Sequence, residues 1–165
     1  MCSDFISLTL VKNKSQSKGF TLIELLIVLL IIGILAAISF PNLLAQVGKA
    51  RETEAKTNLS SLGQSQQAYF LEKATFADKI SKLSINLPAT GSYNFPDPTT
   101  ADSSLVKHFA TNPAALNEST RNYGMGVYFF LSDFGIILCQ SSDIGGTVEA
   151  PNTYADVCIG GEEVR

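Results

Sequence analysis

Phe20-Thr21-Leu22-Ile23-Glu24-Leu25-Leu26-Ile27-Val28-Leu29-Leu30-Ile31-Ile32-Gly33-Ile34-Leu35-Ala36-Ala37-Ile38-Ser39-Phe40 is an apolar run carrying a single charge, Glu24. Wound as a helix at about 1.5 Å per residue, it reaches roughly the 30 Å thickness of a bilayer core. Lys12, Lys14 and Lys18 precede it, so the positive-inside rule keeps residues 1–18 in the cytoplasm and sends the rest outward. An ordinary secretory signal would end in small residues such as Ala36 and Ala37. Its apolar core would be shorter, however, and would not hold a carboxylate. A plain membrane anchor accounts for length and orientation but leaves Glu24 unexplained.

A charged carboxylate at membrane depth costs roughly 2.5–3.5 kcal/mol and calls for a partner or a function. No cation lies between Phe20 and Phe40. Cutting the chain between Gly19 and Phe20 would create one: an α-amino group with a pKa of about 7.7–8, mostly protonated near neutrality. That amine would lie one turn from Glu24 on the same helix, or reach the Glu24 of a neighbouring subunit.

Lys18-Gly19-Phe20-Thr21-Leu22-Ile23-Glu24 closely resembles the cleavage motif of type IV prepilins and their pseudopilin relatives. The match in register extends over residues 12–55 and includes Pro41. It implies a prepilin peptidase that cuts after Gly19 and methylates the new Phe20 amine, and a Glu24 that pairs with a neighbour's N-terminus during assembly. It further implies a homo-oligomeric helical filament, an assembly platform and cytoplasmic motor ATPases. The subunit would be held in the inner membrane before assembly and on the cell surface after it, serving motility, adhesion or DNA uptake. The stretch after Pro41 and Gln67-Ala68-Tyr69-Phe70 are most similar to cyanobacterial pilins. The expected organisation is a cleaved leader (1–19), a membrane half-helix (20–40) and an amphipathic half-helix with a β-rich head (41–165).

Composition agrees with a tethered extracellular domain. The 165-residue chain has a net charge of −3 and is 45% hydrophobic. Residues 1–19 hold three lysines against Asp4, a net +2, which leaves −5 for the remainder. That acidic balance gives no support to general nucleic-acid binding. With Cys2 removed in the leader, Cys139 and Cys158 remain. An even pair in a secreted domain reads as one disulfide, against the alternative of two free buried thiols. In pilins the matching bridge delimits a surface loop, which makes Ser141 to Val157 the candidate for filament-surface contacts.

Apolar residues at Leu43, Val47, Ala50, Leu59, Leu62 and Tyr69 recur at near-helical spacing, predicting one helix from about Thr21 to Leu71. Pro41 removes a backbone hydrogen bond within it, so a kink is expected there. Residues 75–121 read as a polar connection with at most a turn or brief strand. Strands are expected over Tyr123–Leu131 and Ile136–Gln140, joined by a Ser132-Asp133-Phe134-Gly135 turn, with a further strand over Tyr154–Ile159. The fold class is therefore α+β: a long N-terminal helix packed on an antiparallel sheet of three or four strands, the type IV pilin fold.

Other motifs carry bland readings. Asp133-Phe134-Gly135 lacks the rest of a kinase site, and Gly124-Met125-Gly126 lacks the third glycine and the helix of a phosphate loop. His108 near Asp102, Ser103 and Ser104 reads as a solvated histidine rather than a triad member. Asp143, Glu149 and Asp156 read as a solvated acidic loop rather than a calcium site. Asn117-Glu118-Ser119 is a formal glycosylation sequon. No catalytic residue, cofactor or metal site is expected. A pseudopilin of a type II secretion system is the nearest alternative, and a membrane-tethered enzyme or binding domain that never polymerises is the alternative of another class.

Overall fold

The computed structural model describes residues 19–88 and 91–164; residues 1–18 of the expected leader lie outside them. The chain divides into two units at Ser39 and Phe40. Among the described residues, helix α1, Leu22–Lys73, supplies the first unit's secondary structure and continues into the second, which forms the head. The head adds a 3-10 turn (Ile80–Lys82), β1 (Thr100–Ala101), β2 (Leu105–Ala110), the short α2 (Ala115–Glu118), β3 (Tyr123–Phe130), β4 (Asp133–Ser141) and β5 (Gly161–Glu163). The strands form one antiparallel sheet in sequence order.

The outer part of α1 buries a stripe at Gly48, Ala55, Leu59, Leu62, Gly63, Gln66 and Phe70, a helical period that places all of them on one side. Leu43, Val47 and Ala50, expected on that stripe, are exposed. The stripe packs against Val106, Ala110, Tyr123, Met125 and Val127 of the sheet and against Phe76, Ala77, Leu83 and Tyr93 of the connection. Close approach explains two of the glycines. A Cβ on Gly48 would lie 2.9 Å from the Glu118 carbonyl oxygen, and one on Gly63 would lie 3.1 Å from Met125 Sδ. On the exposed flank, the hydroxyls of Thr53, Thr57, Ser61 and Ser65 each donate to the carbonyl four residues back. These otherwise mediocre helix formers are thereby satisfied within the helix.

Residues 75–121 are more ordered than their composition suggests. Leu105-Val106-Lys107-His108-Phe109-Ala110 is a central strand, with Lys107 and His108 both fully buried on opposite faces. His108 is not a solvated histidine: its Nε2 lies 2.9 Å from Gln66 Nε2. Gln66 also donates to the Ala77 carbonyl at 3.0 Å and accepts from the Ala77 N–H at 2.9 Å. With the amide nitrogen donating, His108 Nε2 is the acceptor and the ring is neutral, its proton on Nδ1. Asp102, in contrast, accepts from Ser104 N, Ser104 Oγ and Leu105 N, closing the β1–β2 turn. These backbone and hydroxyl donors hold its carboxyl below the usual range.

Polar residues of α1 and of the connection act as clamps. Glu52 Oε1 accepts from the Arg121 N–H at 2.8 Å, and Arg51 pairs with Glu118 at 2.7 Å. Asn112 bonds Glu118 and Thr120. Together they fasten the α2 region to α1.

The β3–β4 hairpin turns at Leu131-Ser132, both in the left-handed region (φ 48° and 66°), rather than at Ser132–Gly135. Phe130 pairs with Asp133, giving the two-residue turn favoured by sheet twist. Burial explains the shift: Phe134 packs edge-on against Phe70 and tilted against Phe129, which draws residues 133–135 into β4. Tyr154–Ile159 is not a strand. Only Ile159 pairs, as an isolated bridge with Glu149, and β5 follows it.

Burial pulls the His108 pKa from 6.5 down to about 4, with Asp97 opposing weakly. Its neutral form therefore stabilises the head fully above about pH 6.5, and that stability is lost as pH falls towards about 4, where the unfolded chain binds the proton first. The loss should reach about 3 kcal/mol. In urea unfolding at stepped pH, His108→Gln, which keeps an acceptor for Gln66, should flatten this segment of the stability profile.

Candidate assembly site

Thr21 precedes α1, and its Oγ1 accepts from the Glu24 N–H at 3.2 Å; Leu25 N–H donates to the Thr21 carbonyl. Thr21 is thus the N-cap and Glu24 the third helical residue, the spacing of a capping box. The Thr-x-x-Glu pattern was legible in the sequence as a helix start, a role distinct from assembly. The Glu24 carboxylate has no ion pair or hydrogen bond among the described residues. Gly19 stands in open space among the described residues, and Phe20 is 75% exposed. Downstream, all of Leu22–Ser39 is exposed, 18 residues long and apolar enough to cross a membrane. Pro41 lies within α1.

The second face of the head's sheet carries the disulfide between Cys139 and Cys158, with Cα atoms 5.8 Å apart. Cys139 sits in β4 on the face opposite α1, within a second core of Leu105, Tyr128, Ile137, Val148 and Ala150. The C-terminal segment crosses this face. Gly124 makes room for it, since a Cβ there would lie 3.3 Å from Ala150 N and from Val148 O, while a Cβ on Gly126 would strike the Tyr128 ring. The Gly-Met-Gly sequence therefore serves close packing. Tyr128 donates to the Pro151 carbonyl at 2.6 Å, and burial pushes its hydroxyl pKa up, keeping it a donor.

Within the Ser141–Val157 candidate surface, Ile144, Tyr154 and Val157 are exposed. Tyr154 stacks on Phe130 at the hairpin end, beside the almost fully exposed Leu131. Of the three acidic residues weighed there, Glu149 pairs with Lys107 and Asp156 accepts from Thr153. Gly19, Phe20 and Glu24 share one end of α1, whereas Cys139 and Cys158 belong to the head.

A T-x-x-E helix start, an uncovered apolar half-helix and a head of helix on antiparallel sheet with a C-terminal disulfide define a protein of the pilin class. Residues 52–158 match the family described as type IV pilin-like G and H, and residues 14–40 match the prokaryotic N-terminal methylation motif. The chain belongs to this type IV pilin-like family, whose members are structural subunits rather than enzymes. It is 37% identical to the type IV major pilin protein PilA of Myxococcus xanthus over 98 residues, which is 59% of this chain and 44% of that protein. It is 40% identical over 76 residues to the type IV wide pilus major component PilA4 of Thermus thermophilus, 46% of this chain and 58% of that protein. The type II secretion system core protein G of Pseudomonas aeruginosa is 33% identical over 64 residues, 39% of this chain and 45% of that protein. The chain thus spans about half the length of these curated relatives. They lend no support to the cyanobacterial likeness. No solved structure matches the chain significantly.

The bridge closes a loop with a sequence separation of 19, worth about 3 kcal/mol in the chain-entropy account. Replacing both cysteines by alanine should lower the head's unfolding free energy by about that amount. Urea unfolding of the detergent-solubilised chain, with and without reductant, checks it.

Proposed function

We propose that the chain is a structural subunit of a type IV pilus, cut after Gly19, methylated on Phe20 and polymerised through its apolar half-helix. The observation that carries this reading is the uncovered stretch Leu22–Ser39 in a chain whose head already has a core on each face of its sheet. The stretch is left uncovered, so lipid would cover it before assembly and neighbouring subunits after it. Burying it between like helices needs Glu24 to be matched, and the processed amine of an adjacent subunit is the matching charge. The lysines ahead of the span favour a cytoplasmic N-terminus. A prepilin peptidase, an assembly platform and motor ATPases would act on the subunit, and Pro41 would be the weak point at which α1 loosens in the filament.

A pseudopilin of a type II secretion system is the second reading, favoured by the likeness to core protein G. The Cys139–Cys158 bridge, which fastens the C-terminal segment to β4, suits a long exposed fibre.

Protein sheared from the cell surface should begin at methylated Phe20 and run two hydrogens light for its disulfide. Processing at Phe20 without surface fibres would favour the pseudopilin, and a start after Ala37 would end both readings. Glu24→Ala should leave a cleaved, membrane-inserted subunit that assembles at least tenfold less fibre, scored by shearing and immunoblot; a tenfold loss corresponds to about 1.4 kcal/mol, less than the cost of one unpaired charge.

A further inference from the structure

Lys107 occupies the centre of β2 on the face covered by the C-terminal segment, with its side chain 1% exposed. Its Nζ lies 2.7 Å from Glu149 Oε1 and 2.8 Å from Asn152 Oδ1. Around it is the second core of Leu105, Tyr128, Ile137, Val148 and Ala150. Both partners are held from the backbone. Glu149 exchanges hydrogen bonds with Ile159 at 2.9 and 3.0 Å, and the Tyr128 hydroxyl holds the Pro151 carbonyl immediately before Asn152.

The buried ammonium has three donors, and one carboxylate and one carboxamide meet two of them. Amine, carboxamide and carboxylate together are the complete set for one condensation. The carbonyl carbon of Asn152 lies only one C=O bond, about 1.2 Å, beyond the oxygen that Nζ already touches. Small rotations of two side chains suffice to bring nitrogen and carbon to the roughly 3–3.5 Å of a near-attack geometry.

We propose that Lys107 and Asn152 become joined by an intramolecular isopeptide bond, with Glu149 as the proton carrier. The Lys107 ammonium gives a proton to the Glu149 carboxylate, freeing the lone pair of Nζ. Nζ attacks Cγ of Asn152, forming the new C–N bond and a tetrahedral adduct. A second Nζ proton passes to the amide nitrogen, the Cγ–Nδ2 bond breaks and ammonia departs. Ammonia takes the proton from Glu149 and leaves as ammonium, restoring the carboxylate. No oxidant or co-reactant is consumed. The Glu149 side chain is 48% exposed, which gives the departing ammonia a route to water. The product ties β2 to the segment inside the Cys139–Cys158 loop, a second covalent staple that reducing agents would not open.

The deciding experiment is intact mass and peptide mapping of the full chain isolated from the membrane fraction, after reduction. The expected result is a chain lighter by one ammonia, in which the peptide containing Lys107 is joined to the peptide containing Asn152. Glu149→Gln, close in shape but unable to accept the first proton, should show the full mass and separate peptides. Separate peptides in the unmutated chain overturn the proposal. So does an ammonia loss with Lys107 unlinked, which means that Asn152 has cyclised onto its own backbone. A Glu149→Gln chain that still carries the cross-link removes Glu149 from the mechanism and equally overturns it. If that variant fails to accumulate, the map of the unmutated chain alone decides.

Discussion

The packing of Leu59 and Leu62 against Val106, Met125 and Val127 is the contact on which the rest of the head depends. Both leucines are completely buried, and full burial of such side chains is worth about 1.5–3 kcal/mol each. They fix which face of α1 meets the sheet, and that face dictates where small residues are required. Gly63 admits Met125 and Gly48 admits the Glu118 carbonyl, so the helix lies close enough for Glu52 to reach the Arg121 backbone. Once this face is set, the polar flank of α1 is free to satisfy its own hydroxyls. The clamps at Arg51 and Glu52 follow from distance rather than from charge, since exposed ion pairs contribute little on their own.

A sheet with one face sealed by a helix still has a second face to cover, and here it is covered by chain rather than by another helix. The C-terminal segment has too little regular structure to hold itself down, with three residues in β5 and a single bridge at Glu149 and Ile159. It is fastened instead by particular bonds: the disulfide, the Tyr128 hydroxyl on Pro151 and the Lys107 amine on Glu149 and Asn152. Gly124 of β3 lets this segment sit on the sheet without lifting it. Burying Lys107 costs desolvation that is offset only if its donors are met, which explains why two acceptors converge on it.

The N-terminal motif, the long helix and the two longest strands were legible because their signals are local. Lys18 to Glu24 is contiguous, and Tyr123–Phe130 is rich in β-forming aromatics. What could not be read was held by partners distant in sequence. Leu105–Ala110 looked like loop because Lys107 and His108 interrupt its apolar pattern. Their acceptors and donors, Glu149, Asn152 and Gln66, lie 42 to 45 residues away. The hairpin was displaced for the same reason: Ser-Asp-Phe-Gly has turn composition, but the burial of Phe134 against Phe70 is worth more than a preference for those residues in a turn. Leu131 takes a left-handed conformation that nothing in its identity favours. The cysteine pairing, in contrast, followed from parity once the leader was set aside.

Glu24 belongs to the helix start and, on the proposed function, also to assembly, and magnitudes separate the two roles. As the third helical residue it lies in the first turn, where a carboxylate is favoured by the helix dipole by about 0.3–1 kcal/mol. Its backbone N–H, not its side chain, is what Thr21 engages. Placing that carboxylate at membrane depth costs roughly 2.5–3.5 kcal/mol. The helix start therefore offsets less than half of the cost and leaves the charge without a counterion among the described residues. An alanine at the same position would keep the N–H bond to Thr21 and shed the desolvation entirely, so helix formation alone gives no reason for a carboxylate there. A charge that is costly to the subunit and unnecessary to its fold asks for a partner, and on the proposed function the cation that cleavage before Phe20 would create is one of the required sign.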